Sequence, residues 1–213
     1  MANSKKPTMR TPAAPCLWAW IDRPNTKYSK EGKFTVALEF DENDAFIKEL
    51  MKLTDDGAQE LKKGMKPGEA KRVVVEYPFK PIFDEDGEPT GKVRVVFDTN
   101  ATYKDPKTGQ IKSGKPRVFD SRNKLVTKSL MVGRGTTMNV LFAYEPVLVE
   151  SGLKIFLGRY LNAVRIVKYV PFQADGSSMF GDAVEDEDAF DADAFDSDEV
   201  VAGEEETAEG EEF

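Results

Sequence analysis

The residues best suited to chemistry in this chain are flat rings set among cations. Trp18 and Trp20 lie two apart, so a strand there sends both off one face while Leu17, Ala19 and Ile21 leave from the other. Lys92 and Arg94 share a face opposite Val93, Val95 and Phe97, and Lys154, Phe156, Gly158, Tyr160 and Asn162 share another. From Lys104 to Arg134, nine basic residues meet only Asp105 and Asp120. They are Lys104, Lys107, Lys112, Lys115, Arg117, Arg122, Lys124, Lys128 and Arg134, with Tyr103 at the near end and Gly109, Gly114, Pro116, Gly133 and Gly135 among them. Such a set works without covalent chemistry. A ring stacks on a nucleobase for about 1–3 kcal/mol, and Lys and Arg neutralise phosphates with release of counterions. Each feature alone has a plainer explanation: Trp18 or Tyr160 can be core, and Lys92 and Arg94 can be a solvated face. The combination carries the argument.

Catalysis is disfavoured by what is missing. The chain has no His and one Cys, Cys16, which removes the commonest general base and metal ligand and excludes a disulfide framework or multi-cysteine zinc site. Asp84-Glu85-Asp86 are consecutive acids in a Gly/Pro turn, whereas two-metal sites need ligands converging from several elements. Val132-Gly133-Arg134-Gly135-Thr136-Thr137 lacks the Gly-Lys-Ser/Thr ending of a phosphate loop and reads as a flexible basic loop. No enzyme activity, metal or cofactor is expected.

The elements that must position these residues are mostly strands. Alternation or β-rich composition predicts strands at Cys16 to Asp22, Lys33 to Phe40, Arg72 to Tyr77, Lys92 to Thr102, Arg117 to Phe119, Thr137 to Tyr144 and Leu153 to Tyr169. Ala45, Phe46, Ile47, Leu50, Met51 and Leu53 recur at helical spacing, giving one helix over about 43–63 that the Gly64 to Gly68 segment ends. Asp84 to Gly91 and Asp105 to Gly109 are turns. Strands with long loops and one early helix suggest a five-stranded Greek-key barrel of the oligonucleotide-binding type, with a β-sandwich as the alternative. The helix carries Glu42, Asp44, Glu49, Asp55, Asp56 and Glu60 around four Lys, a poor face for a duplex groove. Single strands are the better ligand.

Net charge misleads here. The chain is formally −8, yet Asp175 to Phe213 holds 17 of its 38 acids and no Lys or Arg, so the remainder is basic. Residues 101–174 carry 13 bases against 4 acids. The expected organisation is a flexible N-terminal arm over 1–15, with Pro7, Pro12 and Pro15, a binding domain over 16–172, and a disordered acidic tail over 173–213. No run of 18 apolar residues occurs, so a cytoplasmic protein with no membrane partner is expected.

Three segments bear a resemblance. Trp18-Ala19-Trp20-Ile21-Asp22-Arg23-Pro24-Asn25, Gly32-Lys33-Phe34-Thr35-Val36-Ala37-Leu38 and Leu161-Asn162-Ala163-Val164-Arg165-Ile166-Val167, followed by an acidic tail closing on Phe213, resemble the single-stranded DNA-binding proteins of tailed phages of the podovirus type. The chain departs from that pattern at Glu31, where the family has Arg before the Gly. The resemblance implies a barrel that coats single strands in phage replication and recombination inside the bacterial host. It places Trp18, Trp20, Lys33, Tyr144 and Phe156 toward DNA. It implies that the tail, through Glu211, Glu212 and Phe213, touches the phage DNA polymerase and a helicase or primase, and it raises a homodimer. Two other readings stay open, an acidic-tailed chaperone for a basic partner and an RNA-binding or strand-annealing protein.

Overall fold

Alternation of apolar residues over long strands lets one sheet close on itself. The computed structural model describes residues 6–27, 29–105, 108–149, 151 and 153–172, all within one compact unit spanning 1–173. Five strands form the ring: β2 (Ala14–Asn25), β3 (Lys33–Asp41), β6 (Pro89–Asn100), β11 (Lys154–Lys168) and β10 (Thr137–Val149). β2 pairs antiparallel with β3 and β3 with β6, while β11 meets β6 in parallel at Tyr160 opposite Asp98. β11 then pairs antiparallel with β10, and β10 returns to β2 through Thr137 and Met138 opposite Pro15 and Ala14. Closure leaves no open edge within the ring. This is the expected five-stranded Greek-key barrel; a sandwich of two sheets is not what forms.

The interior is apolar. Val36, Leu38, Val95, Phe97, Met138, Val140 and Phe142 are fully buried, and Phe97 and Phe142 meet at 4.8 Å between ring centres. The helix α1 (Ala45–Lys63) closes the barrel against this cluster with Phe46, Ile47 and Leu50, Phe46 lying edge-on to Phe142 at 6.3 Å. Asp44 caps its start by accepting from the Phe46 N–H at 2.7 Å, as Asp at this position does. A four-residue helix, α2 (Pro67–Ala70), leads toward β4 (Val74–Glu76).

Shorter strands clothe the ring. β1 (Thr8–Arg10) pairs with β10, β5 (Phe79–Phe83) with β6, and β4 (Val74–Glu76) and β9 (Arg117–Phe119) lie parallel to β11. β7 (Thr102–Lys104) and β8 (Ile111–Ser113) form a separate hairpin. The leader, expected to be an extended arm outside any element, thus contributes a strand. Thr11 pins it: its backbone and side chain bond Val140 at 2.9 and 3.0 Å, and its carbonyl accepts from Asn139. Arg72 to Tyr77 contracts to three strand residues, and β5 follows where no strand was expected, across Pro81. β5 uses only one edge for pairing, which is where Pro is tolerated. Gly114 lets the hairpin return against β6, since a Cβ there would stand 2.0 Å from the Asn100 carbonyl oxygen.

Candidate nucleic-acid interface

A β-bulge decides which way the tryptophans point. The register of β2 on β3 passes from Cys16 opposite Leu38 to Trp18 opposite Ala37, leaving Leu17 as the extra residue. Cys16 therefore enters the core while Trp18 and Trp20 both face out, 37% and 41% exposed. Burial pushes the Cys16 thiol up to about 12, so it is an inert apolar group. The Arg94 guanidinium sits over the Trp18 ring at 5.7 Å and has no carboxylate partner among the described residues.

Three hollows neighbour one another here, the first and second sharing Trp18 and the second and third sharing Ile21, Asp22 and Leu130. The largest, about 760 Å³, runs from Trp18 and Arg94 to Tyr77, Phe79 and Lys80 on one side and Lys154, Phe156 and Arg159 on the other. Tyr77 and Phe79 stack at 5.9 Å with a 16° tilt, and the Tyr77 hydroxyl donates to Asp55 of α1 at 3.1 Å, which pushes its pKa up. A second hollow of about 250 Å³ holds Trp18 and Trp20 against Leu130, Met131, Arg134 and Phe172. The third, about 260 Å³, continues past Asp22 to Lys115, Arg117 and Lys128. Rings and cations line the first two hollows, and cations without a ring the third, an arrangement suited to bases and phosphates of an extended strand.

The sequence candidates divide on this geometry. Trp18, Trp20, Arg94, Phe156, Arg134, Lys115, Arg117 and Lys128 line the path. Several cations are already paired: Lys33 with Asp98 at 3.1 Å, Lys92 with Glu39 at 2.5 Å, Lys115 with Asp22 at 2.9 Å, and Lys112 with Asp105. The hydrogen bond to Glu39 pushes the Lys92 ammonium up, as the bond to Asp105 does for Lys112. Asp22 is held below the usual carboxylate range by the Ser129 hydroxyl and then by Lys115. Tyr103, Lys104 and Lys112 stand on the β7–β8 hairpin, and Arg122 and Lys124 on the turn whose backbone N–H groups donate to Asp120 at 2.9 and 2.8 Å. Arg117 also lies over the Phe119 ring at 5.9 Å.

Two rings expected to meet a ligand are occupied by the protein. Tyr144 packs half-buried on the core beside Phe142 at 6.3 Å. Tyr160 donates its hydroxyl to Glu145 at 2.6 Å and lies under the Lys6 ammonium, 3.9 Å from the ring centre. Burial, then Glu145, pushes the Tyr160 hydroxyl up to about 12. Burial pushes Glu145 up, but the Lys6 and Tyr160 bonds outweigh it and hold the carboxylate below its usual range. Lys107 and Asp175 to Phe213, with Glu211, Glu212 and Phe213, lie outside the described residues.

Sequence reasoning passed over Tyr77, Phe79, Lys80 and Arg159. The available signal was the apolar spacing of Phe79 and Phe83 around Lys80, which Pro78 and Pro81 obscured. Among the described residues no group of three Cys, Asp or Glu is placed to hold a metal, and no helix is long and apolar enough to cross a membrane.

No protein-family model matches the chain, and no curated protein matches its sequence. Solved structures do match. The single-stranded DNA-binding protein gp2.5 of bacteriophage T7 superposes with a TM-score of 0.63 at 19% identity, covering 88% of this chain and all of that one. The single-stranded DNA-binding protein of bacteriophage Enc34, in complex with single-stranded DNA, gives 0.53 at 14% identity over 78% of this chain and 89% of that one. A second structure of the Enc34 protein gives 0.52 at 14% identity over 81% of this chain and 89% of that one. The body of this chain therefore has the fold of the phage single-stranded DNA-binding proteins, an oligonucleotide-binding barrel.

Proposed function

We propose that the protein binds single-stranded DNA without reading its sequence, coating strands exposed in phage DNA replication and recombination in the host cytoplasm. One observation carries the reading: Trp18 and Trp20 are exposed on one barrel face, with Arg94 over the first ring and further rings and cations leading away on both sides. Rings that could have been buried at a gain in stability stand in water, the arrangement expected where bases complete the stack. The phage proteins that share this fold are named for binding single-stranded DNA, which supports the same ligand. Filter binding with poly(dT) against duplex DNA tests it. Tight binding to poly(dT) and weak binding to duplex are expected, and an acidic-tailed chaperone would bind neither tightly. Poly(rU) beside poly(dT) separates an RNA-binding protein from this one.

The acidic tail completes the proposal. Its 17 carboxylates imitate a polyanion and compete with DNA for the basic path, and the end, Glu211, Glu212 and Phe213, recruits the phage polymerase and a helicase or primase. Deleting Asp175 to Phe213 is expected to tighten single-strand binding at low salt, measured by anisotropy; unchanged affinity removes the competition.

A further inference from the structure

Outside the aromatic groove, one face of the barrel carries cations that no carboxylate answers. β1, β10, β11 and β9 run side by side, and their register sets Arg10 opposite Leu141, Leu141 opposite Ala163, Asn139 opposite Arg165, and Ala163 and Arg165 opposite Arg117 and Phe119. Paired residues leave a sheet on the same side, so Arg10, Arg165, Arg117 and Phe119 share the outer surface while Val118 and Val164 turn to the core. Arg10, Phe119, Asn123, Asn139 and Arg165 line a hollow of about 120 Å³ there. Among the described residues none of the three arginines has an ion pair. Asp120, at the end of β9, already accepts from the N–H groups of Arg122 and Lys124.

Arg165 is held by neutral groups. Its Nε and Nη2 donate to Asn139 Oδ1 at 3.0 and 2.7 Å, and its Nη1 donates to Asn123 Oδ1 at 3.3 Å. Asn139 is buried and is fixed in turn by donating to the Thr11 carbonyl at 3.1 Å. Asn123 reaches in from a turn at a φ of 63°, a left-handed conformation that Asn tolerates. A guanidinium has five N–H groups, so two remain, and amide acceptors orient the group without neutralising it. Lys33, Lys92 and Lys115, by contrast, are each neutralised by a carboxylate. An oriented guanidinium with its charge uncompensated, and a second on the same hollow, suits the oxygens of a phosphate.

Arg117 connects this hollow to the rest of the path. It is a wall of the third hollow and also lies over the ring of Phe119, a wall of this one, at 5.9 Å. Two residues of strand cover about 7 Å, a short step for a polynucleotide backbone. Resting on the single-strand reading above, we infer that the bound strand leaves the third hollow past Arg117 and crosses β9, where Arg165 and Arg10 each take a phosphate. The footprint on DNA is then longer than the aromatic groove, and its outer end is held by charge without stacking on tryptophan.

The experiment compares two lengths of oligo(dT), about 6 and about 16 nucleotides, bound to the full chain and to the Arg10→Gln, Arg165→Gln double variant, checked for folding by thermal melting. On the longer strand the slope of log affinity against log salt is expected to fall by about 1.4 in the double variant, roughly 0.7 for each lost phosphate contact. On the shorter strand, which the groove alone accommodates, slope and affinity are expected to stay as in the wild type. Arg10→Gln alone removes an exposed side chain that carries no part of the fold and is expected to lower the long-strand slope by about 0.7, which keeps the inference testable if the double variant does not fold. An unchanged long-strand slope overturns the inference, as does an equal loss at both lengths. Tighter binding of the long strand by the variant would assign this face to the acidic tail, and two short strands per wild-type chain would assign it to a second DNA molecule; either overturns it. Failure of the wild type to bind either length overturns the single-strand reading and the inference with it.

Discussion

Strands β2 and β11 both carry aromatic residues at alternating positions, and the barrel uses them differently. On β2 the bulge at Leu17 turns Trp18 and Trp20 outward together, with Arg94 from β6 over the first ring. On β11, Phe156 lines the groove, but Tyr160 meets Glu145 of β10 and Lys6 of the N-terminal segment, so its face and its hydroxyl are both taken. The neighbouring strand, not the spacing of the rings, separates a surface that can stack from one that holds the arm. The same holds for cations. Lys92 and Arg94 are two residues apart on one strand face, yet Lys92 is neutralised by Glu39 across the strand pair while Arg94 is left to a ring.

That contrast can be broken experimentally. The largest effect is expected from replacing Trp18 and Trp20 by Ala together: each stacked ring contributes about 1–3 kcal/mol, so Kd for oligo(dT) should weaken by at least about tenfold in anisotropy titrations. A change below twofold would mean that the exposed rings on β2 do not stack. Changing Arg117, Arg122, Lys124 and Lys128 to Ala tests the basic region apart from the rings. The salt slope of binding should flatten by roughly 0.7 for each phosphate that is no longer neutralised, and the flattening should come mainly from Arg117 and Lys128, which line the path. On the same measure, Arg94→Ala should lower the slope by about 0.7 and Lys92→Ala should leave it nearly unchanged.

The smallest effect on binding belongs to Tyr160→Phe, which removes a hydroxyl the protein already uses. DNA affinity should not change; thermal stability in alkali should. Folding raises the Tyr160 pKa to about 12 from the ordinary 10, so its contribution is complete below pH 10 and is lost as pH rises from 10 to 12. Cys16, raised from 9 to about 12, gives stability of the same sign, lost above pH 9. Melting curves of Tyr160→Phe should therefore fall less steeply between pH 10 and 12 than those of the wild type, with the Cys16 decline remaining.

The barrel was legible because its five strands alternate plainly: Phe34, Val36, Leu38 and Phe40 on β3 face the core as the period of two requires. β1 and β5 were not legible. Thr8–Arg10 has no apolar alternation of its own and is a strand because β10 offers it an edge, and Phe79–Phe83 contains a proline that a central strand would reject. The site was half legible. Trp18 and Trp20 follow from parity, but the bulge that parts them from Cys16 does not, nor does the pairing of Lys33, Lys92 and Lys115 with carboxylates distant in sequence. Arg159 was missed because the groove wall it faces comes from Pro78, on the segment where no strand was expected.

The two tryptophans of the exposed face are the only two in the chain, so intrinsic emission reports on that face alone. Titrating the protein with oligo(dT) while recording tryptophan fluorescence and anisotropy together tests the central claim. Quenching that saturates in step with binding is the predicted result. Binding seen by anisotropy with unchanged tryptophan emission would contradict it, placing the strand somewhere other than across Trp18 and Trp20.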